Sequence, residues 1–467
     1  MIGELKTAVD FRGKKILIMG LGLHGGGVGA ARFFAGRGAS LTITDLRTEK
    51  ELQGSLAQLK NIRGISYVLG RHRKSDFLHA DLIVKNPGVP PNSPYLLLGR
   101  KNHVPITTDV GIFLRQCPAP VIGVTGTRGK STTCYLIARM LETFFKKNKA
   151  HHGRNIFLGG NIRTSVLGFI DEVKPRDIVV LELSSFQLDD IARDSWNVPN
   201  ARKSPSIAVI TNIMRDHLNW HGTMRSYIKA KTVIFAHQKK TDMLFANGSD
   251  KIIRKIAAAA PSQVIFPHLP ENIQPIVDNN LGAHYRSSVA LAIGVCRHLD
   301  VPIAIIRSIL KNFHGLPGRQ ELIATIQGVR YINDTTATIP EASVAAITRF
   351  RALAKKARLI LIAGGSDKKL AFSEMAGAIA QDTDHLILLP GTATERLRAE
   401  LAKRKKSTGR ISVQEAGSMK QAVSMARTLG AKGDYVLLSP GAASFGLFAN
   451  EFDRGDQFVK AVKDMQN

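Results

Sequence analysis

The stretch VIGVTGTRGKSTTCYL, beginning at Val121, sets glycines, hydroxyls and a lysine between an apolar run and a segment of helical character. Its working set is Gly126, Thr127, Arg128, Gly129, Lys130, Ser131 and Thr132. Glycines in such a loop let backbone N–H groups point inward, and the start of a helix adds positive potential, so the loop suits phosphate. Lys130 can reach β- and γ-phosphates, and the Ser131 hydroxyl can ligate Mg²⁺. The spacing departs from G-x-x-x-x-G-K-[ST]: Gly123 comes one position early, and Val124 stands where the first glycine belongs. A loop of this kind needs a carboxylate on its metal side. DIVVLELSSFQL supplies Glu182 near the end of an apolar run, where an acid is costly unless paired or bound to metal. Another apolar run ends in TNIMRDHLNWHG, where a neutral His217 can ligate a divalent ion or polarise phosphate. Lys231, in YIKAKTVIF, occupies a helical position and alone reads as surface charge.

Parallel strands must carry these loops. Lys14 to Asp45 reads as strand, glycine turn, helix and strand. Gly20, Gly22 and Gly25 form a GxGxxG, and Asp45 ends the following strand at the distance expected of a nucleotide fold. The ligand implied is of nucleotide type and need not be NAD; the alternative is that the glycines only permit close helix–strand packing. QCPAPV (Gln116–Val121) and HGLPGRQ (His314–Gln320) punctuate the chain as boundaries. After the second, RLILIAGG, HLILLPG and DYVLLSPG are apolar runs ending in glycine, which predicts a further parallel α/β domain. The expected organisation is three α/β domains: a Rossmann-like domain at 1–118, a central P-loop ATPase-type parallel sheet at 119–316, and a Rossmann-like domain at 317–467. Length agrees, at roughly 100–200 residues per domain.

Lys and Arg number 65 against 37 Asp and Glu, a net charge of +28. Such a field favours anionic partners. The basic residues lie in scattered clusters with no RNA- or DNA-binding motif beside them, so an enzyme with a basic surface is preferred to specific nucleic-acid binding. Three widely spaced cysteines suggest neither a disulfide framework nor a zinc site. The N-terminus has no signal-like apolar segment, and no apolar run reaches the roughly 18 residues a membrane span requires. The expectation is a cytoplasmic protein that is neither secreted nor membrane-spanning.

Taken together, these residues resemble the Mur ligase family, in order, across nearly the whole chain. TGTRGKST is similar to the family's T-G-[TS]-N-G-K-[ST]-T. LELSSFQL, GGNI at Gly159, DH at Asp216, the Y-x-x-x-K of Tyr227–Lys231, GLPGR at Gly315, NDTTAT at Asn333, GGSDK at Gly364 and LLSPGAASF at Leu437 carry the rest, and LELSSFQL points to the D-glutamate-adding branch. The resemblance implies an ATP-dependent amide ligase acting on UDP-N-acetylmuramoyl-L-alanine and D-glutamate through an acyl phosphate, in peptidoglycan precursor synthesis. It implies that Lys130, Glu182, His217 and Lys231 are catalytic. Mg²⁺, expected as two ions, would involve Ser131, Glu182, His217 and a carbamylated Lys231. Leu23, His24, Asp45, Arg47, Gly88 and Asn161 would hold the UDP substrate. Arg319 and Asp334 would join the phosphate loop on ATP, and Thr338, Lys368, Ser444 and the backbone near Phe452 would hold the amino acid. The family precedent is a monomer that closes about a hinge, here near Gly315.

Several positions depart from the family pattern. Arg128 replaces the usual Asn, Ser288 an Asn that contacts adenine, Thr336 a common Lys, and Asn219 a common Asp. SFGLFANEFDRG is one residue longer than expected. Two other readings therefore stand: a Mur-type ligase adding another amino acid or using a recycled precursor, and a non-catalytic nucleotide-binding homologue.

Overall fold

The computed structural model describes residues 9–23, 25–161, 165–199, 201–313, 315–367, 370–404 and 411–465; His24 and Lys368 lie outside the described residues. Strands β1 (Lys15–Met19), β2 (Ser40–Asp45), β3 (Ile65–Leu69), β4 (Leu82–Lys85) and β5 (Ile106–Thr107) form a parallel sheet in the order β3-β2-β1-β4-β5. The order reverses at β1, so the glycine turn after it opens at the switch point where such sheets bind ligands.

A second parallel sheet contains β6 (Val121–Thr125), β7 (Ile156–Gly160), β8 (Ile178–Glu182), β9 (Ile207–Ile210), β10 (Met243–Ala246) and β11 (Gln263–Ile265). Its order is β11-β10-β9-β6-β8-β7. Strands β6, β8 and β9 are buried along their whole length, as parallel strands covered by helices on both faces must be.

The third sheet contains β12 (Glu321–Ile326), β13 (Val329–Asn333), β14 (Leu359–Gly364), β15 (His385–Leu389), β16 (Ser412–Glu415) and β17 (Tyr435–Leu438), in the order β12-β13-β17-β14-β15-β16. It is not purely parallel as the apolar runs implied. β12 pairs antiparallel with β13 across a tight turn at Gln327–Gly328, while the other pairs are parallel. A two-residue connection can only reverse the chain, and ELIATI is partly exposed at the sheet's edge, so it lacks the continuous apolar signature of its neighbours.

Two compact units result, one extending to Asn312 and one from Phe313 onward. In the first, a single apolar cluster runs from Phe11 through Val179 to Ala257 and joins its two sheets. Buried ion pairs cross the same junction: Lys85 Nζ lies 2.6 Å from Asp190 Oδ2, and Arg115 Nη1 lies 3.0 Å from Asp194 Oδ2. The acids come from the second-sheet segment and the bases from the first, so removing either partner would strand a buried charge.

The glycine turn divides its labour differently from the GxGxxG reading. Gly25 has φ 84 and starts helix Gly26–Ala35, but open space surrounds the position of a Cβ. Close helix–strand packing is the work of Gly27, where a Cβ would collide with the Leu21 carbonyl. Gly27→Ala is therefore expected to destabilise the first unit by about 2–3 kcal/mol, against about 1 kcal/mol for Gly25→Ala, which meets only left-handed strain. Urea melts of both variants check this; equal losses would contradict the assignment.

Candidate active site

Sheet order brings the phosphate loop's partners to it. β6 lies between β8 and β9, with Val124 opposite Glu182 and Thr125 opposite Ile210. The ends of β8 and β9 therefore flank the loop that leaves β6. The loop enters helix Lys130–Lys147 through Gly129, at φ 80, where a Cβ would strike Ser288 Oγ. Ser288 is thus packed on the loop itself, and the smaller side chain at this position is accommodated there.

The loop's carbonyls are pinned. Lys231 Nζ donates to Gly126 O at 2.7 Å and Lys130 Nζ to Thr127 O at 3.0 Å. Arg128 O accepts from Thr211 Oγ1 at 2.6 Å and from Asn212 Nδ2 at 3.1 Å. Asn212 also accepts the Arg128 N–H at 2.8 Å and, through its own carbonyl, the Thr127 N–H at 2.8 Å. Thr127 Oγ1 lies 3.0 Å from Tyr227 Oη. The first-turn N–H groups of a helix have no intrahelical acceptor, and a helix start of this kind suits an anion. Thr211 and Asn212 were not among the predicted site residues. Their signal was TN directly after an apolar run, at the end of a strand adjoining the loop's own.

Glu182 is buried at that end of β8, and both its oxygens are engaged. Ser131 Oγ donates to Oε2 at 2.5 Å and Asn161 Nδ2 to Oε1 at 3.0 Å. The structure thus brings together Ser131, Glu182 and Asn161, residues separated by two strands in sequence. Two hard oxygens side by side fit Mg²⁺, which takes one or two protein oxygens and completes its shell with phosphates and waters. Among the described residues, no three His, Cys, Asp or Glu side chains cluster as a self-sufficient metal cage.

Lys231 is not surface charge. It is 1% exposed on helix Met224–Ala236, with Nζ 4.6 Å from the Tyr227 ring centroid. Burial, reinforced by Lys130, pushes its pKa down to about 6, against the pull of Asp216 and Glu182. A neutral amine at pH 7 follows. His217 has left-handed backbone (φ 53) and packs against Phe186 at 4.9 Å, with Nε2 3.6 Å from Asp216 Oδ2. Burial lowers its pKa, Asp216 opposes this, and Lys130, Lys231 and Arg128 lower it further, so His217 is neutral and able to ligate. His221, unremarked in the sequence, lies with Nε2 3.0 Å from Ser185 Oγ.

At the first glycine turn, Asp45 is buried and uses its carboxylate to order the loop. Oδ2 accepts Gly22 N–H at 3.1 Å and Oδ1 accepts Arg47 N–H at 2.9 Å. Leu23 is exposed, the Arg47 guanidinium is half-exposed, and Gly88 N–H is held by Asn86 Oδ1 at 3.0 Å. Asn86 also fills the hollow under Gly20 and Gly22, a role no motif announced.

In the second unit, the adjacent ends of β13, β17 and β14 gather NDTTAT, SPGAAS and GGSD on one sheet edge. Asp334 accepts from Ser439 Oγ at 2.8 Å and from Gln320 N–H at 3.2 Å. Burial pushes its pKa up to about 7, although Ser439 and Arg319 favour the anion. Thr336 Oγ1 donates to Gly318 O at 3.0 Å, and Thr338 N–H to Thr336 O at 2.9 Å. Ser444 is buried, and Phe452 N–H is taken by Asn450 Oδ1 at 2.9 Å as part of a helix cap. Fully buried Arg454 ties this edge together, donating to Thr335 Oγ1 at 3.1 Å, Thr335 O at 2.7 Å and Ala442 O at 3.1 Å. The RG dipeptide inside a helix gave little warning of that.

The Lys231 environment predicts a pH signature in bicarbonate-free buffer with EDTA. The unfolded lysine keeps its proton to pH 10.5 and the folded one releases it near 6, so the unfolded state holds more protons between these values. Native stability then rises with pH across that window, by about 1.4 kcal/mol per unit, and falls as pH drops toward 6. Lys231→Met removes this slope. Parallel denaturant melts of both proteins at pH 7, 8 and 9 should diverge accordingly; a constant difference would mean that the lysine stays protonated.

The Mur ligase middle domain matches residues 124–290, the Mur ligase glutamate ligase domain residues 318–441, and the Mur ligase MurD-like N-terminal domain residues 14–108. The UDP-N-acetylmuramoylalanine–D-glutamate ligase of Roseiflexus sp. (strain RS-1) is 39% identical, covering 97% of this chain and 99% of the relative. The enzyme of that name from Borreliella burgdorferi (strain ZS7) is 35% identical, covering 98% and 99%. Among solved structures, the UDP-N-acetylmuramate–alanine ligase of Thermotoga maritima superposes with TM-score 0.59 at 16% identity, covering 97% of this chain and 100% of that one. The MurF ligase of Thermotoga maritima in complex with ADP gives 0.54 at 17% identity, covering 98% and 96%. Matched in all three of its sheet-bearing segments, and over 97–98% of its length by relatives above 30% identity, the chain belongs to the Mur ligase family.

Proposed function

We propose that this protein is the ATP-dependent ligase that joins D-glutamate to UDP-N-acetylmuramoyl-L-alanine, a cytoplasmic step of peptidoglycan precursor synthesis, and that it acts as a monomer. The observation that carries the reading is the convergence of Lys130, Ser131, Glu182, Asn161, His217 and Lys231 on one phosphate loop. A module that only binds a nucleotide has no need of a buried neutral lysine beside that loop. The names of the relatives supply the amino acid and the nucleotide sugar.

In this reading the γ-phosphoryl group of ATP passes to the substrate's carboxylate, and the amine of D-glutamate displaces phosphate from the acyl phosphate. Lys130 and the first-turn N–H groups hold the transferred phosphoryl, and negative charge gathered in one place is neutralised by groups already in position. Ser131 and Glu182 would hold one Mg²⁺, and the ion would supply charge neutralisation at the phosphates. His217 and Lys231 would hold a second, once Lys231 is carbamylated: a protonated or neutral amine offers no oxygen, whereas a carbamate offers two. The unprotonated amine is the form that adds CO₂, which the burial of Lys231 favours. Leu23, His24, Asp45, Arg47, Gly88 and Asn161 are assigned to the UDP substrate, Arg319 and Asp334 to ATP, and Thr338, Lys368, Ser444 and the Phe452 region to the amino acid. The three segments 1–118, 119–316 and 317–467 divide these tasks.

One observation bears on specificity. Thr336 spends its hydroxyl on Gly318 O, so the loop lacks the cation that many of these ligases carry there. The test is phosphate release with UDP-N-acetylmuramoyl-L-alanine, ATP, Mg²⁺ and bicarbonate against a panel of D- and L-amino acids. D-Glutamate is expected to drive release, and Lys130→Ala to reduce it by about 10³-fold or more. Omitting bicarbonate should lower the wild-type rate, and chloride should not replace it. Release with another amino acid alone would move the specificity; none with any would refute the ligase.

A further inference from the structure

Arg128 is the loop residue that the machinery described so far leaves without a task. Its backbone is among the most constrained in the loop. The N–H is held by Asn212 Oδ1 at 2.8 Å, and the carbonyl by Asn212 Nδ2 at 3.1 Å and Thr211 Oγ1 at 2.6 Å. Its side chain is the opposite: exposed, with no hydrogen-bond or ion-pair partner among the described residues. Asn212 therefore grips the residue at both backbone polar groups and leaves the guanidinium free to move about a fixed root. That root lies between Thr127 and Gly129, directly before the helix start where phosphate is expected to bind.

Lys130 and Arg128 both act electrostatically on His217, and Lys231 joins them when it is protonated. Arg128 also acts on Tyr227, whose hydroxyl bonds Thr127. The acids that act on Lys231 are Glu182, already engaged by Ser131 and Asn161, and Asp216. A planar guanidinium with five donors suits the equatorial oxygens of a phosphoryl group in transfer better than the Asn usual at this position in the family.

We propose that Arg128 is a phosphoryl-transfer arginine supplied by the loop itself, and that it engages the γ-phosphoryl group as that group leaves ATP for the substrate's carboxylate. The proposal rests on the ligase reading above. A carboxylate oxygen forms the new bond to phosphorus while the bond to the β–γ bridging oxygen breaks, and ADP departs with that electron pair. Arg128 neither gives nor takes a proton; it balances charge on the three oxygens that belong to neither partner. Because its side chain is unseated beforehand, it contributes to the transition state more than to ATP binding.

The test compares Arg128→Asn, Arg128→Lys and Arg128→Ala in the phosphate-release assay. The Asn and Ala variants are expected to lose about 10²-fold or more in kcat while the KM for ATP shifts less than about threefold. Lys should retain more than Asn, and methylguanidinium should partly rescue Ala. An Asn variant as fast as the wild type, or a loss confined to the ATP KM, would overturn the proposal. Failure of the ligase reading looks different, since the wild type itself would then release no phosphate with any amino acid. In that event the binding of Mg²⁺, ADP and aluminium fluoride decides for Arg128. The proposal requires Ala to weaken the ADP–fluoride complex about 10²-fold and ADP alone by less than threefold; equal effects on both would overturn it.

Discussion

The buried carboxylate of Glu182 is the constraint from which the phosphate site follows. A strand buried along its whole length ends on an acid, and burial of an unpaired carboxylate is too unfavourable to persist. Ser131 from the helix after β6 and Asn161 from the end of β7 satisfy it, one oxygen each. Satisfying Glu182 therefore fixes three segments against one another: the first turn of the phosphate-loop helix, the edge strand and the strand between. The Ser131 hydroxyl and the carboxylate lie together beside the phosphate loop, where the proposed function would place a cation. Stability and function have a common origin here.

Much of this was legible in the sequence because parallel sheets position chemistry by simple rules. Apolar runs of four to six residues ending in glycine, serine or an acid mark strand ends, and catalytic groups collect at those ends. TGTRGKST, LELSS and DH could be placed on adjacent loops without coordinates. What stayed illegible depends on neighbours far away in sequence. Taken alone, Lys231 reads as surface charge; only the Y-x-x-x-K resemblance marked it, and helix Met224–Ala236 packs it beneath Gly126 O. Arg454 gave no sign that it would lie fully buried, joining Thr335 to Ala442. The β12–β13 hairpin was missed because a half-exposed edge strand has no continuous apolar run. The packing glycine was not legible, because GxGxxG spacing cannot tell left-handed strain at Gly25 from steric exclusion at Gly27.

The first unit also explains why its two sheets act together. Lys85–Asp190 and Arg115–Asp194 are buried ion pairs across the junction, and Thr107 Oγ1 adds a 2.6 Å bond to Asp194. Buried pairs of this kind contribute little net stability, yet breaking one is strongly unfavourable. Their effect is to permit one relative placement of the glycine turn and the phosphate loop. The proposed reaction, with the nucleotide end of the substrate on the first sheet and its carboxylate at the phosphate loop on the second, would need such a fixed separation, because catalysis by alignment fails over small displacements.

The charge balance at the loop connects the remaining proposals. As an amine, Lys231 donates to Gly126 O and adds to the cations around His217 whenever it is protonated. Conversion to a carbamate would exchange that cation for an anion while leaving one N–H on nitrogen, enough to keep a donor for the Gly126 carbonyl. The loop would then hold Glu182, Asp216 and the carbamate against Lys130 and Arg128, before ATP and the substrate carboxylate add their own charge. Such a site has to import cations, and two Mg²⁺ ions are the ready source. Mg²⁺ held by Ser131 and Glu182 would neutralise charge at the phosphates from a fixed position. The Arg128 guanidinium, on a backbone held by Asn212 and with no partner among the described residues, would add a cation able to move with the transferred group. The Asn-to-Arg exchange at position 128 is thus most intelligible in a loop whose buried lysine does not remain a cation.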